Sequence, residues 1–311
     1  MKLKNTKMKK RRIILFLLIG FIFSRVYAQK IEWKEKAKLP QPMRGAAVSS
    51  NNNIYFMEAH SKVSGVYEYN VVEDTWKKKT NMITRGWNVN LVEIDGLIYA
   101  IGGAGGIGGP LDRLEAYNPL NNTWNVLAPM PTGRQHNTSC VVNDKIYVMG
   151  GITKSSKTNK IVKTENNEVY NPKSNSWQTL SPLPAPCGDP IISAVGNNIY
   201  VLCGDVLWMY DTLSDKWETK KNSPVWISIL LGSTVINDKI IFPGGQNKDG
   251  KAVSSVYIYD TTNDTWSKST NLPKPIQIGG ITTLNGKIYM IGGNDTDYNK
   301  YDTVYEGTLI D

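Results

Sequence analysis

Between Gln29 and Asp311 the chain is a succession of short apolar runs rich in Val, Ile and Tyr, broken by turn residues such as Asn121-Asn122 and Asn143-Asp144. This spacing predicts β-strands joined by tight turns. One phrase recurs: Gly96-Leu97-Ile98-Tyr99-Ala100-Ile101-Gly102-Gly103, Lys145-Ile146-Tyr147-Val148-Met149-Gly150-Gly151, and Gly286-Lys287-Ile288-Tyr289-Met290-Ile291-Gly292-Gly293. Weaker copies start at Asn53, Asn198 and Lys239, which makes six units. The first five continue through a Tyr-Asn or Tyr-Asp pair at Tyr69, Tyr117, Tyr170, Tyr210 and Tyr259 to a tryptophan at Trp76, Trp124, Trp177, Trp217 and Trp266.

Each unit offers four strands. A sheet that is apolar on both faces cannot stand alone, and radial stacking about a channel buries both faces while leaving only short edges. The glycine pairs end the second strand, where backbones converge and a side chain would collide. The sixth unit lacks a tryptophan strand, and Ile31-Glu32-Trp33-Lys34 through Leu39-Pro40 matches the segment from Trp124 to Pro131. The expectation is an all-β, six-bladed β-propeller over residues 29–311, with the N-terminal strand completing the last blade. Tryptophan spacings of 43, 48, 53, 40 and 49 residues leave no room for an inserted domain. The recurring tryptophans are expected on the fourth, outermost strand, packed as core between blades.

The glycine pairs, the Tyr-Asn/Asp pairs and the tryptophans together resemble the kelch repeat, over essentially all of the chain after residue 28. The resemblance implies arginines at the entry of the innermost strands, presented to an acidic ligand. It also extends, more distantly, to the exported N-acetylneuraminate epimerases, which are thought to use an acidic residue with an arginine at the channel mouth.

Charge changes the picture only until the N-terminus is considered. The chain has 36 Lys+Arg against 27 Asp+Glu. Residues 1–28 combine a basic start, an apolar run from Ile13 to Phe23 and the small-residue end Val26-Tyr27-Ala28. This is the layout of an export signal, and the run is short of the roughly 20 residues of a membrane span. Its removal takes eight basic residues with it and leaves 28 against 27. A periplasmic or secreted protein is expected, with no membrane span after cleavage and no basic excess for a nucleic-acid partner.

Counting back from the glycine pairs places Arg44, Arg85, Arg134, Cys187, Ser228 and Ile276 where the innermost strands begin. His60, Ala104, Ile152, Asp205, Gln246 and Asn294 follow the second strands at the same mouth. Arginine suits bidentate capture of carboxylates, although the three arginines could equally bond exposed carbonyls as parts of the repeat. Trp87 and Trp226 should approach the mouth and stack on a sugar or a peptide, or pack under loops. Trp208 reads as packing. Glu58 stands where other units have glycine and, with His60 near Arg44, forms either an acid/base pair or a degenerate terminal repeat. His136 completes the candidate ligand-binding set of Arg44, Arg85, Arg134, Trp87, Trp226, His60, His136, Gln246 and Asn294. Glu58, Asp189 and Arg44 are the candidates for catalysis.

Cys187 begins a strand and Cys203 ends its antiparallel neighbour, so the two are candidates for a disulfide, bonded or not, with Cys140 buried and unpaired. Two histidines, His60 and His136, do not converge with the tyrosine and cysteine ligands that copper would need, so no metal and no cofactor are expected. The G-x-G-x-x-G match at Gly103–Gly108 lacks the following helix that would hold a pyrophosphate. The leading expectation is therefore a binding protein for a carbohydrate, possibly an acidic sugar, or for a protein ligand at an arginine-lined mouth. A sugar epimerase or mutarotase is the alternative.

Overall fold

A computed structural model describes residues 29–58, 65–83, 86–105, 109–136, 138–228 and 232–310. The expected export segment, His60 and Arg85 lie outside the described residues. Every regular element among the described residues is a strand. Six four-stranded antiparallel sheets form the blades, and five of them run from the channel outward in chain order. Blade 1 comprises Gly45–Ser50, Asn53–Glu58, Gly65–Asn70 and Thr75–Asn81. Blade 6 comprises Gly280–Leu284, Lys287–Ile291 and Val304–Ile310, with Lys30–Glu35 as its outermost strand. The innermost strands neighbour one another in sequence order, and that of blade 6 returns to that of blade 1. The chain thus folds as a closed six-bladed ring.

Six hydrophobic clusters fill the six interfaces between blades. Tyr55, Met57 and Val66 of blade 1, for example, meet Leu91, Ile98 and Tyr117 of blade 2. Each strand alternates its side chains between two neighbouring clusters, as the two-residue period of a pleated sheet requires. In blade 1, Tyr55 and Met57 face blade 2, while Ile54 and Phe56 face blade 6.

The glycine pairs are explained by conformation as well as by space. Gly102-Gly103, Gly150-Gly151, Gly244-Gly245 and Gly292-Gly293 all have positive φ. A Cβ on Gly103 would lie 2.5 Å from the Trp87 carbonyl oxygen. The second glycine of the pair then donates its N–H to the chain entering the next blade: Gly103 to Arg134, Gly151 to Cys187, Gly245 to Ile276 and Gly293 to Met43.

A second tie links consecutive blades at the outer edge. Tyr210 donates its hydroxyl to Asp215, and Asp215 also accepts the Ser181 N–H of blade 3, whose carbonyl takes the Trp217 indole N–H. Asp74 and Trp76 hold Ala37 in the same way, Asn175 and Trp177 hold Ala128, and Asp264 and Trp266 hold Lys221. The repeated tryptophans therefore sit half-buried on the outermost strands, not in the core as the repeat pattern suggested. Their work at the edge is a hydrogen bond plus stacking on the blade's own tyrosine, with ring centroids 4.9 Å apart for Tyr210 and Trp217.

Closure follows the sequence expectation. Trp33 lies opposite Gly307, in the register that pairs Trp177 with Tyr170 in blade 3. Blade 6 has glycine where other blades have tyrosine, and a Cβ on Gly307 would lie 2.6 Å from the Trp33 ring. The indole covers the position its tyrosine partner would have used.

Candidate functional site

A cavity of about 150 Å³ opens where the innermost strands begin. Its wall is a ring of residues immediately ahead of those strands: Arg44, Asn88, His136, Asp189 and Ile278, with Trp87 beside Asn88. Asn88, His136 and Ile278 occupy the same place in blades 2, 3 and 6, and all three have φ near +55°. A side-chain residue held in that left-handed region is uncommon, and Ile there is costly. The kink turns each residue from the blade interface toward the channel.

This geometry corrects the counting made on the sequence. The counted position lies just below the ring and is buried: Arg134, Cys187 and Ile276 are there, and Met43 is its counterpart in blade 1, all at most 1% exposed. Arg134 does not line the cavity. Its guanidinium pairs with buried Glu168 and donates to the carbonyls of Val148, Gly150 and Asn166. Burial lowers its pKa while Glu168 opposes the shift. Of the two readings open for the arginines, Arg134 takes the structural one.

Other candidates are also displaced from the cavity. Glu58 continues its strand opposite Gly45 and is 4% exposed. It shares the face of Ile54 and Phe56 toward blade 6, where Lys300 lies 3.6 Å away. Glu58 is thus a buried carboxylate at the interface of blades 6 and 1, because the strand's alternation turns it away from the channel. Gln246 and Asn294 exchange backbone hydrogen bonds with Ser228 and Gln277 and do not line the cavity. Trp208 is buried in the core between blades 3 and 4. Trp226 lies outside the cavity and is 42% exposed.

Two predicted residues do converge. His136 and Asp189 are 53 positions apart, and His136 Nδ1 lies 2.6 Å from Asp189 Oδ1. An ionised carboxylate only accepts, so Nδ1 carries the hydrogen and donates it. Nε2 is then the acceptor, without a hydrogen-bonded partner among the described residues. Arg44, on the same wall, makes no ion pair among the described residues. Cys187 and Cys203 form a disulfide with Cα atoms 6.0 Å apart, and Cys140 is free and buried. Among the described residues no three His, Cys, Asp or Glu side chains are grouped as metal ligands.

Sequence reasoning missed Asn88, which shares the ring with His136. The signal was available in the repeat, three residues beyond Arg85 in blade 2 and two beyond Arg134 in blade 3.

The ring of blades and the cavity at its mouth define a β-propeller with an axial cavity. The Kelch motif matches residues 88–131, 133–184 and 230–273, and the chain is a kelch-repeat propeller. It is 29% identical over 231 residues to Kelch-like protein 35 of Mus musculus, covering 72% of this chain and 39% of that protein. To Kelch-like protein terF of Aspergillus terreus it is 25% identical over 249 residues, covering 73% of this chain and 54% of that protein. The matched region thus spans about two-fifths to one half of these relatives. The solved structure of YjhT superposes with a TM-score of 0.75 at 18% identity, covering 88% of this chain and 99% of that one. At that identity the likeness speaks for the fold alone.

Proposed function

We propose that the chain is an exported kelch propeller that binds a small acidic carbohydrate in the mouth cavity. The observation that carries this reading is the Arg44 guanidinium, without an ion pair among the described residues, on the same wall as the His136–Asp189 pair. A cavity of about 150 Å³ is smaller than the roughly 300–1,000 Å³ that drug-sized ligands occupy, and suits one sugar ring better than a folded protein loop. Arg44 would hold the carboxylate as a charge-assisted pair. Trp87 and Asn88 would meet the ring and its hydroxyls.

Calorimetry with N-acetylneuraminate and galacturonate tests this. Arg44→Ala should weaken binding at least tenfold at an unchanged melting temperature. Binding that survives this change would move the site elsewhere. Export is supported by the layout of residues 1–28 and by a disulfide suited to an oxidising compartment. Mass spectrometry of the cell-envelope and culture fractions should find Gln29 at the N-terminus.

A second reading has its own support in the His136–Asp189 pair. A histidine oriented by a carboxylate is a general base. Nε2 would take the anomeric hydroxyl proton of the bound sugar while water protonates the ring oxygen as its bond to the anomeric carbon breaks. Reclosure on the other face, with both protons returned, gives the other anomer. Proton NMR of anomer interconversion tests it. A rate no faster than the spontaneous one removes the enzymatic reading and leaves the binding one standing.

A further inference from the structure

The connections between second and third strands form a rim around the mouth, and blade 4 interrupts it. Blade 2 uses residues 102–113 for this connection, blade 3 residues 150–166, blade 5 residues 244–255 and blade 6 residues 292–303. In blade 4 the strands Asn198–Cys203 and Val206–Asp211 are joined by Gly204-Asp205 alone. The rim is therefore notched at blade 4.

Trp226 fills the floor of the notch. Three atoms of its six-membered ring lie 2.5–2.8 Å from where a Cβ on Gly204 would be, so the indole rests directly on the glycine. Gly204 has φ +70°, and its carbonyl accepts the Ile227 N–H. Seated in this way, Trp226 remains 42% exposed, unlike buried Trp208 in the same blade.

The notch leads to the cavity. Gly204 follows Cys203, whose Cα lies 6.0 Å from that of Cys187, two residues before Asp189 of the cavity wall. The disulfide pins both: Cys187 is two residues before Asp189, and Cys203 immediately precedes Gly204. The walls are cationic. On the blade 3 side rises the hairpin of Ile152–Lys154 and Ile161–Lys163, whose Lys154, Lys157, Lys160 and Lys163 are exposed. On the blade 5 side stand Lys248 and Lys251, also exposed. None of these six lysines makes an ion pair among the described residues.

From this arrangement we infer that the ligand is an acidic oligosaccharide, with its terminal residue in the cavity and its next residue stacked on Trp226. This rests on the cavity being the carbohydrate site and adds a second subsite. An apolar sugar face meets the indole, and the lysines meet carboxylates on the following residues.

Calorimetry with two pairs of probes tests it: galacturonate with trigalacturonate, and N-acetylneuraminate with its α2,8-linked trimer. In at least one pair the trimer should bind tenfold or more tighter than the monomer. Trp226→Ala should bring the two to parity without weakening the monomer, and Trp226→Phe should restore part of the gain. Because Trp226 is exposed, both variants should keep the melting temperature of the unaltered protein. Equal affinity of monomer and trimer, with the monomer bound, overturns the second subsite and leaves the cavity reading intact. Binding of neither overturns both. A chain-length gain that survives Trp226→Ala, or tighter binding of hexaglutamate than of any trimer, also overturns it.

Discussion

The outer edge and the mouth of this propeller are built from the same repeat but obey different rules. At the edge, four blades use an aspartate or asparagine and a tryptophan to grip one residue of the preceding blade, and the partners hardly vary: Ala37, Ala128, Ser181 and Lys221 are held through backbone atoms alone. At the mouth, equivalent places carry Asn88, His136 and Ile278, and Arg44 and Asp189 complete the same wall. The edge repeats because it must solve one problem, joining neighbouring blades, at every interface. The mouth diverges because its side chains face the cavity and are not needed to join the blades, even where His136 reaches Asp189 of the next one. Variation at constant backbone is what a ligand site on a repeat scaffold requires.

The position just beneath the ring offers the strongest test of this contrast, since Arg134, Cys187 and Ile276 occupy it with three different chemistries. Arg134→Ala leaves Glu168 buried and unpaired and should cost about 3–5 kcal/mol. Joint replacement by Arg134→Met and Glu168→Leu should recover most of that loss in a denaturant titration. If the pair of changes were as harmful as the single one, the guanidinium's bonds to the three carbonyls would outweigh the ion pair.

A smaller effect is expected in blade 4. Reducing the disulfide, or replacing both cysteines by alanine, frees a loop of 16 residues and should cost about 3 kcal/mol. The melting temperature with and without reductant measures this, and Cys140→Ala should leave that difference unchanged because the thiol is free and buried.

The smallest effect divides the edge itself. Asp74, Asp215 and Asp264 are partly desolvated, which raises their pKa, but tyrosine hydroxyl and backbone N–H donors outweigh this and hold them below the usual aspartate value. Carboxylates depressed in the folded state contribute stability that is full above the unfolded value of about 3.9 and is lost as pH falls through the folded one. Blades 2 and 3 use Asn122 and Asn175 at this place and have nothing to titrate. Melting temperatures should therefore fall on acidification from about pH 5 to pH 3. The triple change to Asn at Asp74, Asp215 and Asp264 should flatten that slope, by less than about 1 kcal/mol per site after solvent screening.

Much of the fold was legible in the sequence, because the signals that build it are local or periodic. Glycine pairs mark backbone that must enter the left-handed region, tyrosine and tryptophan mark the outer strands, and Trp33 marks the strand borrowed to close blade 6. The Cys187–Cys203 bond was only a candidate in the sequence, because the register that sets Ile191 opposite Leu202 does not by itself bring Cys187 to Cys203. The site was legible only in part. A count along the repeat reaches the right end of the right strands, yet misses the ring by two residues in blades 3, 4 and 6 and by three in blade 2, and that step decides between Arg134 in the interior and His136 at the cavity.

The sequence by itself determined six units, their strand order and the way the ring closes, since each depends on residues near one another or repeated at a fixed interval. Only the tertiary structure decided that His136 meets Asp189 from another blade, that Glu58 turns to Lys300 and that Trp226 rests on Gly204. These pairings depend on where a side chain points after the backbone kinks, and on which blade lies next to it in space. A linear spacing carries neither quantity.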